Sequence, residues 1–322
     1  MGLFHRSLTA AGLAAALIGS ALAQDYPTRP IRMVIAFPAG GPTDFVGRLL
    51  AEKMKELLGQ SVIIENKAGA NGAIGADYVA KSEPDGHTLF LTTTGAVAIT
   101  PAMRTDLPYD TLRDFAPITL VVRNTTILVV RSELPLNSAK DLAALAKDKP
   151  GEIAFASTGV GSMPHLALEL FQAAGNVKFL HVPYRGAAPA LTDLLGGQVQ
   201  ALFADATVLL PQIQGGKLKP LGVASVARNP KLPVVPTLAE LGFPDTQADN
   251  WYGLLAPART PAAVIAKLNA AAVAAVNDPA IREKLVGSGA VPAPTSPAEF
   301  REFLRSELER WGRIVREKGI KE

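Results

Sequence analysis

The chain has 322 residues, 48% apolar and 19% charged, a balance that excludes a disordered protein and suits about two globular domains. The formal charge of +3, with no Lys/Arg-rich run, argues against a nucleic-acid partner. Cysteine is absent, which excludes disulfides, thiolate metal sites, a cysteine nucleophile and a lipidated N-terminal cysteine.

Residues 1–23 read as a cleaved secretory signal peptide. His5 and Arg6 form its basic end, Leu8 to Ile18 its apolar stretch, and Ala21-Leu22-Ala23 an A-x-A cleavage site. The apolar stretch is shorter than the roughly 20 residues a membrane span needs. The expectation is a soluble periplasmic protein without a lipid anchor.

Ile31 to Phe37 is a nearly continuous apolar run, as in a buried parallel strand. The loop Pro38 to Asp44 follows, then a helix to about residue 58, which Thr43 or Asp44 can cap and Gly59 can end. A strand is expected over 61–65, a glycine loop at 69–72, a helix to about 81 and a strand over 88–92. The same order recurs with strands over 126–130, 152–156 and 177–181, each followed by a helix. Further strands are expected over 199–204, 218–224 and 252–256, and tail helices over 261–277, 279–286 and 297–318. Alternating strands and helices predict an α/β protein with two lobes, each a doubly wound, mainly parallel sheet flanked by helices. The tail has no sheet of its own, so the first lobe is expected to be discontinuous, 24–122 plus 246–322, with 123–245 inserted. Two crossing segments make a hinge, and the cleft between the lobes is the expected ligand site.

Ligands of open α/β sheets bind beyond the strand ends, where helix N-termini offer unpaired N–H groups and partial positive charge. Three loops have this grammar: Phe37, Pro38, Ala39, Gly40, Gly41, Thr43 and Asp44; Ser157, Thr158, Gly159, Gly161, Ser162 and His165; and Arg185, Gly186 and Ala187. Asp44 is read as a helix cap or a ligand group, and Arg185 as a carboxylate partner or a surface cation. His165 is a candidate donor or a structural histidine. Asp205 faces the cleft or caps a turn. Trp251 and Tyr252 form a cleft wall or pack in the core. Neither GxGxxG nor a GKS/GKT loop occurs, so no nucleotide cofactor is expected. His87, His165 and His181 lack metal-ligand spacing, so no metal is expected. Ser162 lacks the G-x-S-x-G elbow of a hydrolase.

At these loops the chain resembles the Bug-type (TctC-like) extracytoplasmic solute receptors of tripartite tricarboxylate transporters. The resemblance rests on YPTRPIRMVIAFPAGGPTDFVGRLLAEKM, VIIENKAGANGAIGADYVAKSEPDGHTL, STGVGSMPHLALELF, HVPYRGAAPALTDLLGGQV and WYGLLAPARTPAAVIAKLN, which together cover most of the chain. It implies a two-lobed periplasmic binding-protein fold closing on a small organic carboxylate: a di- or tricarboxylate, an acidic amino acid or an aromatic acid. It further implies a monomer without cofactor or catalysis that hands its ligand to integral-membrane transporter subunits. It places the carboxylate at Pro38 to Asp44, Ser157 to His165 and Gly186-Ala187, with Thr93 and Thr94 along the cleft. Phe45 and Gly47 depart from the family's commoner aliphatic residue and alanine. A ligand-presenting partner of a sensor kinase is the alternative, and a serine hydrolase using Ser162 or Ser157 a remote one.

Overall fold

A computed structural model of the chain describes residues 26–320, so the expected signal peptide lies outside the described residues. In chain order, β1 (Ile31–Ile35), α1 (Pro42–Leu58), β2 (Val62–Asn66), α2 (Ala73–Ala80) and β3 (Thr88–Thr93) form a parallel unit. A π-helical segment (Gly95–Ile99) and the short helices α3 (Thr100–Met103) and α4 (Thr111–Asp114) lead into β4 (Phe115–Asn124). Next come β5 (Thr126–Arg131), α5 (Ala139–Asp148), β6 (Ala154–Ser157), α6 (Met163–Gly175), β7 (Leu180–Pro183) and α7 (Ala187–Leu195). They are followed by β8 (Ala201–Asp205), α8 (Ala206–Gln214) and β9 (Leu218–Val223). The chain closes with β10 (Asn250–Pro257), α9 (Ala262–Asn277), α10 (Pro279–Gly287), β11 (Ala290–Pro292) and α11 (Pro297–Lys318).

These strands make two sheets, ordered β11-β4-β10-β3-β1-β2 and β7-β6-β8-β5-β9. The chain leaves the first sheet after Asn124 and enters the second at Thr126, then returns between Val223 and Asn250. Each sheet is parallel only in one three-strand part, β2-β1-β3 and β7-β6-β8. The remaining pairings are antiparallel, which corrects the expectation of mainly parallel sheets. The antiparallel pairings centre on β10 and β4 in the first sheet and on β5 in the second, and no strand is expected at β4. Its ten residues FAPITLVVRN form an almost wholly buried run without the alternation that marks a half-exposed strand.

The helices follow their local chemistry. In α1, Pro42 takes the first helical turn and the left-handed Gly59 ends it, but the N-cap is Gly41 rather than Thr43 or Asp44. Gly47 is a close-approach residue: a Cβ there would lie 2.6 Å from Ile35 Cδ1 and 2.9 Å from Leu91 Cδ2. In α11, Ser296 and Glu299 form a capping box. This helix serves both halves. Phe300 and Leu304 join a core cluster of the first sheet, whereas Trp311 and Val315 join one of the second. Buried Glu307 lies between them, its Oε2 accepting from Trp251 Nε1 at 2.8 Å and Trp311 Nε1 at 3.0 Å. Trp251 is therefore a core residue, not a cleft wall.

Candidate functional site

The loops leaving β1, β6 and β7 and the end of β8 meet at one cavity of about 60 Å³. Four helices start on it. Gly41, Ser162, Gly186 and Asp205 are the N-caps of α1, α6, α7 and α8, and all four line the cavity. The Gly41, Gly186 and Asp205 caps place no side chain on their first-turn amides. Those N–H groups, with the positive ends of the helix dipoles, suit an anion without a buried cation. Glycine is required at Gly186, whose φ of 108° an L-residue rarely adopts, and a Cβ there would touch Pro38 Cγ at 3.4 Å.

Of the expected residues, Phe37, Pro38, Ala39, Gly41, Thr43, Thr93, Thr158, Ser162, Arg185, Gly186, Ala187 and Asp205 line the cavity. A second cavity of about 770 Å³ shares Phe37, Pro38, Asn71, Thr158, Arg185 and Gly186 with it and adds Gly159. Gly40, Asp44, Thr94, Ser157, Gly161 and His165 line neither.

Asp44 turns back onto its own surroundings. Its Oδ2 accepts from Gly40 N at 3.0 Å and Arg48 Nε at 2.8 Å, and its Oδ1 from Asn66 Nδ2 at 3.0 Å. Burial alone would raise this carboxyl; the bonds from Arg48, Gly40 and Asn66 outweigh it and hold the carboxyl below its usual range. It fastens the first loop to α1 and β2. Thr94 Oγ1 donates to Asn250 Oδ1 at 3.1 Å, behind the cavity.

His165 is buried and its ring stacks on His181, with centroids 4.4 Å apart and planes 9° apart. Its Nδ1 accepts from Gly161 N at 3.2 Å. Burial first, then His181, push its pKa down to about 4, so it is neutral near pH 7. Ser157 Oγ lies 2.7 Å from His181 Nε2, and Ser162 Oγ donates to Gly159 O at 2.6 Å. These side chains support the second loop from beneath.

Sequence reasoning missed Asn71 and Asn250 as lining residues, whereas Pro42, Met163 and Pro164 fall inside the expected stretches Pro38 to Asp44 and Ser157 to His165, and Ala188 and Pro189 directly follow Gly186-Ala187. Asn71 was within reach, since its glycine loop follows a strand of the parallel unit. Its Nδ2 donates to Gly161 O at 2.6 Å and Thr100 Oγ1 at 3.0 Å, joining loops of the two halves. Asn250 carries no local signal. It reaches the site because β10 inserts antiparallel between β3 and β4.

The family model described as the tripartite tricarboxylate transporter family receptor matches residues 46–320. Protein BugT of Bordetella pertussis is 40% identical over 300 residues, 93% of this chain and 92% of that protein. Two solved structures are similar throughout. One is MatC from Rhodopseudomonas palustris with bound malate: 33% identity, TM-score 0.85, covering 90% of this chain and 100% of that one. The other is Rpa4515 of R. palustris with adipate: 34% identity, TM-score 0.89, covering 92% of this chain and 99% of that one. These relatives are receptors, which overturns the serine-hydrolase alternative. The hydroxyls of Ser157 and Ser162 are occupied in holding the loop.

Proposed function

Because the chain belongs to the receptors of the tripartite tricarboxylate transporter family, we propose that it captures a small organic carboxylate between two lobes and delivers it to the membrane subunits of such a transporter. The observation that carries this reading is the convergence of four helix N-termini, three without a side-chain cap, on one cavity. A carboxylate ligand would accept from those amides, and neutral donors suit a receptor that must also release its cargo. The malate and adipate of the two similar structures are both dicarboxylates, which supports the ligand class. The proposed lobes are residues 24–122 with 246–322, and 123–245. The separation of the strands into two sheets supports this division. The signal-like N-terminus supports periplasmic placement, and the protein is taken to act as a monomer.

Thermal-shift screening against a library of organic acids tests the reading: binding raises the melting temperature with ligand concentration. Ala187→Trp, which fills the cavity at the start of α7, should fold and lose that shift. No stabilisation of the parent protein by any organic acid would refute carboxylate capture. Ligand-induced stabilisation of Ala187→Trp equal to the parent's would move the site elsewhere.

A further inference from the structure

Helix ends that donate line the cavity, yet it also holds one acidic side chain. Asp205, at the end of β8, is 5% exposed. Its Oδ2 accepts from the Tyr252 hydroxyl, and Asn250 Nδ2 reaches Oδ2 at 3.0 Å and Oδ1 at 3.2 Å. Both donors come from β10 of the other sheet and both are neutral. Asp205 has no ion pair with a described Lys, Arg or His.

A carboxylate has about four acceptor positions, and these bonds use three, leaving one on Oδ1. Asn250 cannot turn to serve a ligand, because its Oδ1 accepts from Thr94 Oγ1 at 3.1 Å and Trp251 N at 3.0 Å. It fixes the Asp205 carboxylate in place. Burial pushes the Asp205 carboxyl up to about 6, so it is chiefly an ionised acceptor near pH 7.

We propose that Asp205 reads a hydrogen-bond donor on the bound acid, a hydroxyl or an ammonium group, so that the cavity prefers hydroxy or amino acids to plain acids of the same length. The inference rests on the carboxylate reading above. One end of the ligand meets the helix N-termini, and its donor completes the acceptor set of Asp205. A second carboxylate brought to the same place would face the buried Asp205 carboxylate, which pairs with no described cation. A site that offers a fixed buried acceptor rejects a ligand without the matching donor, because the acceptor is left unpaired.

Titration calorimetry on the parent protein should use matched sets: succinate against malate and aspartate, glutarate against 2-hydroxyglutarate and glutamate, benzoate against 3-hydroxybenzoate. In the set that binds most tightly, the donor-bearing acid should bind at least tenfold more tightly than the plain one. Asp205→Asn should reduce that ratio at least tenfold. A plain acid that binds as tightly as its donor-bearing counterparts in the parent would overturn the inference while leaving carboxylate capture intact, and this ranking needs no variant. A ratio that survives in a folded Asp205→Asn would overturn it too. Binding of none of these acids, nor of any in the wider library, would instead refute the carboxylate reading and take this inference with it.

Discussion

Acid should weaken this fold through His165. The neutral ring is stacked on His181 and accepts from Gly161 N, with Glu169 Oε1 3.6 Å from its Nε2. Protonation in place would put a buried charge beside a second imidazole and break the Gly161 bond, while Glu169, its own carboxyl raised by burial, works in the opposite direction. The His165 pKa falls from 6.5 to about 4 on folding, by burial first and His181 second. Below pH 6.5 the unfolded chain takes up the proton and the native chain does not. Stability from this group is therefore complete above the unfolded pKa and is lost as pH falls towards the folded one. Full loss corresponds to about 3 kcal/mol, of which about 2 kcal/mol falls between pH 7 and 5. His181, also lowered by burial, adds in the same direction. Asp205 works the other way: its raised pKa, about 6, returns about 1 kcal/mol over the same interval. Urea denaturation at a series of pH values, on the parent and on His165→Gln, separates these contributions. The variant starts less stable, but its stability should fall between pH 7 and 5 by about 2 kcal/mol less than the parent's. Equal falls in the two proteins would refute this account of the histidine pair.

Two further outcomes follow from single contacts. Asn71→Asp keeps a residue type that tolerates the left-handed φ of 46° but removes the donor to Gly161 O and Thr100 Oγ1. Losing that link between the halves should open the ligand-free protein, seen as a larger radius of gyration by X-ray scattering, and weaken carboxylate binding about tenfold; unchanged scattering would contradict its role as a latch. Gly253→Ala puts a Cβ 2.1 Å from Phe300 Cζ in the buried face of β10. It should destabilise the fold by about 1–3 kcal/mol in chemical denaturation, without a change in which acids bind.

Much of the site was legible because its loops are local objects. Apolar strand, small-residue loop and amphipathic helix are adjacent in the chain. The rule that ligands sit at strand ends therefore locates the loops after β1, β6 and β7 without reference to packing. The tail helices were equally legible. Pro279 and Ser296-Pro297 mark where two of them start, and the expected range 297–318 matches α11. Other features had no local trace. The run FAPITLVVRN does not alternate, so nothing near it said that it is the strand along which β10 and β11 pair. Asp44, which reads as a helix cap or a ligand group, does neither, because Arg48 and Asn66 hold its carboxylate.

From composition, spacing and the quoted motifs, the sequence by itself determined the class of fold, the kind of loops and the receptor family. Tertiary structure decided which side chains face the cavity. Asn71 meets Gly161 90 residues away, and Asn250 meets Asp205 45 residues away. The reason is physical: helix caps and strand periods depend on neighbours in the chain, whereas the orientation of a buried carboxylate depends on partners that only folding brings within hydrogen-bonding distance.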